Sequence, residues 1–320
     1  MRALVVTNMY PSAVRPALGS FVADQVGALL RSGEAEVQVW SFEPGGTSAY
    51  AGAARRLRAQ FGGGRGAGQA HGARFDVVHA HFGLTLWPAL AVPARTRAVT
   101  LHGTDLTHPR SRAITLAGLR LDDLVAAVSA PLAATIPRWA VRAEPAVLPC
   151  GVALDRFEPI DRADARRALG LDPDRPQLLF PADPARAEKR FDQARAVAGD
   201  VPLLTLGDVD PARVPLYVNA ANAVLVPSDR EGYGLAVLEA LACNVPVLAT
   251  PVGIHGAVLD GVRGTICAPF DAAVWREALA PHLEADDPRI EGRARAEPHS
   301  SDAMARRVLA AWRQLLSRAG

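Results

Sequence analysis

The sequence predicts an α/β protein with two doubly wound domains, and three observations support this fold class. Short apolar runs alternate with longer segments of helical periodicity along most of the chain. The apolar runs are continuous, which is typical of parallel strands covered on both faces. With 320 residues, of which 49% are hydrophobic, the chain exceeds one typical domain and can bury two cores. A single barrel is the competing architecture, but it requires eight similar units and these are unevenly spaced.

The predicted strands form two series, separated by a proline- and charge-rich stretch from Pro149 to Pro176 where we place the seam. After the first strand, SFVADQVGALLRSG predicts an amphipathic helix with Ser20 as its N-cap. We expect an N-terminal domain over 1–155, a C-terminal domain over 156–300 and a terminal amphipathic helix over 301–320. The predicted strands are ALVVTN, VQVWSF, DVVHAHF, AVTLHG and LVAAVS, then QLLFPAD, PLLTLGD, AVLVPSD, PVLAT and GTICAP.

The composition argues against several classes of protein. The 35 basic and 33 acidic residues give a net charge of +2, which speaks against nucleic acid as a partner. Cys150, Cys243 and Cys267 lack metal-type or redox-type spacing and predict reduced thiols. The first residues predict a strand and not a signal peptide, and no apolar stretch reaches membrane-spanning length. We therefore expect a soluble cytoplasmic protein, and the missing G-x-G-x-x-G and G-x-x-x-x-G-K-[ST] patterns give no support to nicotinamide or phosphate-loop chemistry.

Residues 44–75 are rich in Gly, Ala and Arg and contain no acidic residue. The arginines of the 55–74 segment could contact anionic lipid head groups, which would place the protein at the inner face of a membrane. A solvated loop is the more common structure for such a composition. These arginines are Arg55, Arg56, Arg58, Arg65 and Arg74.

Two glutamates, Glu231 and Glu239, lie eight positions apart in the stretch SDREGYGLAVLEALACN. If a helix begins near Gly234, Glu239 shares one face with apolar side chains. A carboxylate there needs hydrogen-bond donors, since burying it unpaired costs several kcal/mol. The two vicinal hydroxyls of a ribose would supply them, and a structural salt bridge to an arginine is an equally good explanation.

The start of this predicted helix is suited to a phosphate group. The backbone amides at Gly234 and Leu235 would lack partners within the helix and would form a positive site. Glycines at 232 and 234 would let the ligand approach the backbone closely. A phosphate at the helix start and a ribose one turn along describe a bound nucleotide. Glu231 would then face the group beyond the phosphate, although a solvated turn residue is the simpler explanation of its position.

The stretch PSDREGYGLAVLEALACNVPVLATPVG resembles the signature of family 4 retaining glycosyltransferases, which have the two-domain GT-B fold. That signature contains a glutamate, a Gly-aromatic-Gly turn (here Gly232, Tyr233 and Gly234) and a second glutamate. By position, the resemblance implies that Glu231 contacts the donor sugar and that Glu239 contacts the nucleotide ribose. It also implies two Rossmann-like domains that face each other across a cleft, with the acceptor bound by the N-terminal domain and the nucleotide by the C-terminal domain.

The N-terminal half carries the resemblance further. TNMYPSAVRPALGSF is similar to the family's first strand and loop, and implies that Gly19 approaches the donor phosphates. VVHAHFG and VTLHGTDL resemble two central strands, and imply that His102 lies next to the reacting sugar. Of His79 and His81, we expect one to pack inward and the other to face the acceptor.

The segment FPADPARAEKRFDQA resembles the part of the family that carries a basic pair for the diphosphate. Lys189 matches one of the two positions. Pro184 occupies the position of the usual arginine, so Arg186 or Arg190 would substitute for it. The variant is most similar to a branch that includes teichuronic-acid-type transferases. The triplet DVD at 208–210 spells a metal-binding motif of another glycosyltransferase fold, but we interpret it as an ordinary turn and expect no metal site.

The resemblance implies a retaining, metal-independent glycosyltransferase that takes a nucleoside-diphosphate sugar, most commonly a UDP-sugar, and needs no cofactor. The acceptor would be a hydroxyl of a glycan, a glycolipid or a natural product. Two alternatives stay open. One is a nucleotide-sugar epimerase or phosphorylase on the same fold, and the other is a non-catalytic subunit that only binds the nucleotide sugar.

Overall fold

The computed structural model describes residues 1–62, 75–207 and 209–319. The chain divides into two compact units. The first unit consists of Met1–Cys150 together with Asp302–Gly320, and the second unit consists of Gly151–Ser301. This division falls after Cys150, five residues before the boundary predicted at residue 155. The roles assigned to the two domains stay predictions.

In its described residues, the first unit has one parallel sheet with the strand order β2-β1-β3-β4-β5-β6. The order reverses next to β1, the first strand, as in doubly wound folds. The strands are β1 Arg2–Thr7, β2 Glu36–Ser41, β3 Phe75–His81, β4 Ala94–Leu101, β5 Leu124–Ala127 and β6 Ala146–Val147. The helices are α1 Ser20–Arg31, α2 Thr47–Phe61, α3 Leu86–Ala89, α4 Thr104–Thr107, α5 Pro109–Gly118 and α6 Ala130–Ala134.

The second unit has a parallel sheet with the strand order β11-β10-β9-β7-β8 over the residues described. Its strands are β7 Leu178–Phe180, β8 Leu203–Thr205, β9 Ala223–Val226, β10 Val247–Ala249 and β11 Ile266–Cys267. Helices lie between the strands and follow the last one. They are α7 Arg162–Ala168, α8 Phe191–Ala198, α9 Val214–Ala220, α10 Leu235–Ala242, α11 His255–Leu259, α12 Ala272–Glu284 and α13 Arg293–Ala296. The last helix, α14 Ser301–Ala319, follows the second unit along the chain and belongs from Asp302 onward to the first unit.

All ten predicted strands are present, so the predicted α/β class with two parallel sheets is confirmed. The additional strand β6 has only two residues and lies at the sheet edge, too short for an apolar run to reveal it. Helix α14 packs Val308, Leu309 and Trp312 against strand residues of the first unit, which explains why this last segment belongs to that unit.

The predicted seam contains a helix with buried arginines, which its charged composition did not indicate. Helix α7 lies within it, and two of its arginines, Arg162 and Arg166, are almost fully buried. Arg162 donates to the carbonyls of Ala221 and Pro288, and Arg166 donates to the carbonyl of Ala220. Because these guanidinium groups satisfy carbonyls that the core would otherwise leave unpaired, the segment is part of the second unit and not a loose linker.

The N-cap of α1 differs from the prediction. Gly19 is the N-cap with a φ of 68°, and Ser20 is the first helical residue. A Cβ at Gly19 would lie 2.2 Å from the carbonyl oxygen of Met9, so the loop and the helix start can approach this closely only at a glycine. Within the described ranges, no helix is long and apolar enough to cross a lipid bilayer.

Candidate functional site

The first residues of α10 form the centre of the candidate site in the second unit. The helix begins at Leu235 after the N-cap Gly234, as predicted. Gly234 has a φ of 114°, and a Cβ there would lie 2.6 Å from Nε2 of His255. Among the described residues, no side chain caps this helix start. Its first amides are therefore available to an anion.

Glu231 lies just before this turn and is held by two side chains. Nζ of Lys189 donates to Oε1 and Oε2 of Glu231 at 2.6 and 2.7 Å, and Oγ of Ser228 donates to Oε1 at 2.8 Å. The two charged side chains are only 15% and 12% exposed. The alternative of a solvated turn residue is therefore wrong for Glu231, and the structure brings together two side chains that the sequence analysis selected from different motifs.

Lys189 is the only lysine in the 320-residue sequence, against 34 arginines, since the 35 basic residues include this one lysine. An ammonium group is a compact charge with three hydrogens. Two of them serve the two oxygens of Glu231, which leaves a third for a further acceptor. The planar fork of an arginine would pair with the same carboxylate through two parallel bonds. The chain therefore has a lysine at the position where a multidirectional donor is useful.

The two candidate arginines lie on the surface and have acidic partners. Nε and Nη2 of Arg186 donate to Oε1 of Glu188 at 3.0 and 2.7 Å. Arg190 is in the left-handed region at a φ of 57° and pairs with Asp192 and Asp229. Arg186 thus has a single carboxylate partner in the described chain, and Arg190 has two.

Glu239 lies on α10, one turn after the helix start, and is half-buried. Leu238 and Ala242 on the same face are buried, and Leu235 is half-buried. The predicted arrangement of a carboxylate on an otherwise apolar helix face is therefore confirmed. Its proposed contact with a ribose stays a prediction.

Tyr233, between the two glycines, faces the interior. It is 5% exposed, and its hydroxyl lies 2.8 Å from Nδ1 of His299. Its carbonyl accepts from the amide of Ile254 at 2.9 Å. The aromatic residue of the turn therefore anchors the loop within the second unit, and any contact of this turn with a ligand falls to Gly232, Gly234 and Leu235.

His255, which no sequence motif indicated, lies next to Gly234 at the start of α10. Nδ1 of His255 lies 2.8 Å from the carbonyl oxygen of Thr250, so Nδ1 carries the hydrogen and donates it. Nε2 faces Gly234 and is a buried atom without a partner in the described chain. Burial lowers the pKa of His255, although the nearby Glu231 carboxylate opposes the shift. In the sequence, His255 follows Thr250, the last residue of PVLAT, by five positions. This spacing is not typical of any known catalytic or binding motif.

In the first unit, the candidate residues gather around the end of β4. His102 directly follows this strand and is half-buried, and its ring lies 4.9 Å from that of Phe21, two residues after Gly19. Asp105 is fully buried and accepts the backbone amides of His102, Gly103 and Gly83. Burial raises the pKa of Asp105, and these three amide bonds oppose the shift. The aspartate of the HGTD sequence therefore holds the backbone of His102 in place.

His79 and His81 are both fully buried, so the expectation that one of them faces an acceptor is wrong. Strand β3 extends to His81, so both histidines belong to the strand and their side chains are buried against the sheet. Nε1 of Trp312 donates to Nδ1 of His79 at 3.0 Å, and Nε2 of His79 lies 2.8 Å from Oγ1 of Thr100. His81 contacts Gln25 and His102 instead.

The remaining predictions concern ions and membranes. Among the residues described, no group of three or more His, Cys, Asp or Glu side chains is arranged to hold a metal ion. The DVD triplet falls partly outside the described residues, because Asp208 does. Arg55, Arg56 and Arg58 lie on α2, and Arg65 and Arg74 lie outside the described residues. Cys150 and Cys243 are buried free thiols and Cys267 is half-buried, as the spacing predicted.

Solved structures resemble this chain across nearly its whole length. Sucrose-phosphate synthase from Thermosynechococcus elongatus has a TM-score of 0.72 and 19% identity, covering 99% of this chain and 100% of that chain. Anabaena HepE in complex with UDP-glucose has a TM-score of 0.71 and 15% identity, covering 98% and 99% of the two chains. Two parallel-sheet units with these likenesses define the fold class as GT-B.

The family follows from sequence comparisons. Residues 19–156 match the family described as Glycosyltransferase Family 4, and residues 181–285 match Glycosyl transferases group 1. The chain belongs to the family 4 glycosyltransferases, as the signature around Glu231 and Glu239 predicted.

Curated relatives include D-inositol 3-phosphate glycosyltransferases. The one from Actinosynnema mirum is 32% identical over 64% of this chain and 63% of the relative. The one from Mycolicibacterium paratuberculosis is 36% identical over 46% and 41%. The one from Frankia alni is 29% identical over 76% and 75%. The chain thus spans less than two thirds of the length of the first relatives it matches.

Proposed function

We propose that the protein is a retaining, metal-independent glycosyltransferase that moves a sugar from a nucleoside-diphosphate sugar to a hydroxyl acceptor. The observation that carries this proposal is the ion pair between Lys189 and Glu231 beside the uncapped start of α10. A cation, a set of free amides and a carboxylate are what a diphosphate and the hydroxyls of a sugar require. The likeness to the predicted teichuronic-acid-type branch stays a prediction.

The donor would bind to the second unit. Its diphosphate gains negative charge as the bond to the sugar breaks, and Lys189 with the amides at Gly234 and Leu235 would stabilise this charge. Glu239 would accept the two ribose hydroxyls and Glu231 the hydroxyls of the sugar. A UDP-sugar is the donor we favour, because the similar protein HepE has been crystallised with UDP and with UDP-glucose. The role that a metal has in other transferases would fall to Lys189 and a neighbouring arginine.

The first unit would contribute Gly19 and His102. Gly19 is the N-cap of α1, and the donor phosphates would approach its backbone at this helix start. His102 would orient the sugar through its ring. The acceptor, a hydroxyl compound such as a glycan, a glycolipid or a natural product, would bind to the same unit.

The bonding of Glu231 supports front-face substitution. Oε1 accepts from Lys189 and Ser228, and Oε2 accepts from Lys189, so this carboxylate is held as a hydrogen-bond acceptor and not as a free nucleophile. In the proposed step, the acceptor oxygen forms a bond to the sugar's anomeric carbon as the bond to the diphosphate breaks. The acceptor's proton passes to the departing phosphate oxygen on the same face, so the configuration is retained.

Calorimetry with UDP, GDP, ADP and TDP tests the binding part of the proposal. We expect Glu239→Ala to abolish nucleotide binding, because the ribose loses its acceptor, and Glu231→Ala to retain binding and lose turnover. UDP affinity unchanged from the wild-type value in the Glu239→Ala variant would overturn the assignment. Because Lys189 is the only lysine, acylation of its amine by an amine-reactive reagent gives a second readout, and bound UDP should protect it.

Product analysis separates the proposal from its alternatives. Release of UDP from UDP-glucose only when an acceptor alcohol is present supports a transferase. Conversion of the donor to another nucleotide sugar without an acceptor indicates an epimerase, and donor consumption by inorganic phosphate indicates a phosphorylase. Binding without turnover across a panel of acceptors indicates a subunit that only binds the donor.

Peripheral membrane contact at the inner face of a cytoplasmic membrane is part of the same proposal. Arg55, Arg56 and Arg58 lie together on α2, and Arg56 is 5.7 Å from the ring of Trp40. Basic side chains beside an aromatic ring suit an anionic lipid surface. Cosedimentation with phosphatidylserine vesicles, and its loss in a variant with all three arginines changed to Gln, tests this contact. Equal sedimentation with neutral phosphatidylcholine vesicles would contradict it.

A further inference from the structure

A line of polar side chains crosses the interior of the first unit and ends at His102. Nε2 of Gln25, on α1, lies 3.1 Å from Nε2 of His81 at the end of β3. Nδ1 of His81 in turn lies 3.1 Å from Nε2 of His102. The two histidine rings are stacked, with centroids 5.3 Å apart and an interplanar angle of 26°. Gln25 and His81 are 7% and 0% exposed, so water does not compete for these bonds.

The hydrogen positions along this line follow from which atoms can donate. The amide nitrogen of Gln25 only donates, so Nε2 of His81 must accept. A neutral imidazole has one hydrogen, which in His81 therefore lies on Nδ1 and is donated to Nε2 of His102. The hydrogen of a neutral His102 is thereby left on Nδ1. Within residues 1–62, 75–207 and 209–319, this Nδ1 atom has no hydrogen-bond partner.

Both rings are held in the neutral form. Burial lowers the pKa of His81 to about 4. Burial, and then repulsion from His81, lowers the pKa of His102 well below its ordinary value. At neutral pH each ring therefore has one donor and one acceptor, which is the condition for a fixed direction of donation.

His79 provides an independent reference in the same layer. An indole N–H can only donate, so Nδ1 of His79 accepts from Trp312 and its hydrogen lies on Nε2, facing Thr100. His79 and His81 are stacked at 4.7 Å. Two neighbouring histidines of one strand thus have opposite tautomers, each set by a different partner.

We propose that Gln25 and His81 are positioning residues that fix His102 as the Nδ1–H tautomer. His102 then offers a hydrogen-bond donor, and the group it takes is an acceptor oxygen of the bound sugar. It has no free lone pair with which to remove a proton from the acceptor hydroxyl. The role given to the sugar rests on the proposed function, whereas the tautomers themselves are a property of the ligand-free protein.

Nuclear magnetic resonance of the ¹⁵N-histidine-labelled protein tests the tautomers directly, because protonated and unprotonated ring nitrogens have well-separated shifts. Signals are assigned from single His→Asn variants. We expect hydrogens on Nδ1 of His81 and His102 and on Nε2 of His79. A hydrogen on Nε2 of His81 in the wild-type protein would overturn the proposal.

A variant at Gln25 tests which residue sets the direction. In Gln25→Glu, a carboxylate that only accepts replaces the amide, so the single hydrogen of neutral His81 should move from Nδ1 to Nε2. The hydrogen of His102 should then move from Nδ1 to Nε2, which donates to Nδ1 of His81, while His79 keeps its pattern. Gln314→Glu, at an exposed position of α14, makes the same charge change and should alter no ring. A His81 Nε2 atom that stays unprotonated in Gln25→Glu would contradict the proposal. If the His79 pattern is lost, the variant has not folded, and the wild-type spectrum alone decides.

The kinetic arm uses UDP-glucose and measures UDP release. We expect Gln25→Glu to lower kcat about tenfold with little change in KM, because the sugar still binds but loses a directed donor. An unchanged kcat would overturn the role given to His102. If the wild-type protein releases no UDP with any acceptor, the proposed function fails while the tautomer measurement still stands or falls by itself.

Discussion

The candidate site of the second unit is built from charges, and that of the first unit is built from neutral rings. Lys189 and Glu231 form an ion pair next to the free amides of α10. His81 and His102 lie in a stack in which burial disfavours protonation. A diphosphate needs the first arrangement, because its charge must be balanced. A sugar needs the arrangement of neutral rings, because its hydroxyls are recognised by donors and acceptors that have fixed directions.

A substitution at the N-cap of α10 should have the largest effect on the site of the second unit. Gly234→Ala would strain a residue at a φ of 114° and place a Cβ 2.6 Å from Nε2 of His255. We expect a loss of roughly 3–5 kcal/mol in the free energy of unfolding, from backbone strain and overpacking together. Urea denaturation measures it.

The control for Gly234→Ala is Gly256→Ala, because a Cβ at Gly256 meets no atom within 4 Å. Adding His255→Ala to Gly234→Ala should recover the steric part of the loss and leave the backbone part. Equal unfolding free energies for the two glycine variants would show that the close contact at α10 is not a constraint.

Acid should destabilise the protein through the buried neutral rings of the first unit. The pKa of His81 is lowered by burial to about 4, below its ordinary value of 6.5. The unfolded chain therefore binds a proton that the folded chain does not, and stability falls as the pH drops from 6.5 towards 4. This one group contributes up to roughly 3 kcal/mol of that loss. We expect His81→Gln to flatten the fall, measured by urea denaturation at pH 7.5 and 5.

His108→Gln is the control for the acid experiment, since His108 is exposed. It should leave the pH dependence of unfolding unchanged. A wild-type curve that is flat between pH 7.5 and 5, or a His81→Gln variant that falls as steeply as the wild type, would contradict the neutral character of the stack.

Lys189→Arg asks whether the charge alone is sufficient in the second unit. The substitution keeps a positive charge but should pair as a planar fork with Glu231, leaving no donor directed at a phosphate. We expect UDP affinity to fall by about 10- to 100-fold, the value of one hydrogen bond to a charged group. Calorimetry measures it, with the exposed Arg195→Lys as the control. UDP affinity within twofold of the wild-type protein would contradict the geometric role.

The sequence was most informative where the site is local. Glu231, Gly234 and Glu239 lie in one continuous stretch, so a helix start and its carboxylates could be predicted from spacing. The parallel strands could be predicted because each contains a short apolar run, and the runs of β7, β9 and β10 are buried on both faces. All ten predicted strands are present.

The first unit shows why the rest could not be predicted. Gln25, His81 and His102 come from three separate elements, and Trp312 meets His79 across 233 positions of the chain. No spacing rule links such residues, since the order of the strands and the packing of α1 and α14 on the sheet bring them together. The buried arginines of α7 were missed for a related reason, because charged side chains predict exposure unless their partners are known.

The smallest effect distinguishes the two surface arginines. Arg186 is bonded to one carboxylate, Glu188, and Arg190 to two, Asp192 and Asp229. An exposed ion pair holds its partners weakly, so Arg186 can turn to a diphosphate at little cost, whereas Arg190 would have to leave two partners. We expect Arg186→Gln to weaken UDP binding by about 3- to 10-fold, more at low salt than at high salt. Arg190→Gln is the matched control and should leave the affinity unchanged, and the opposite order of effects would assign the diphosphate contact to Arg190.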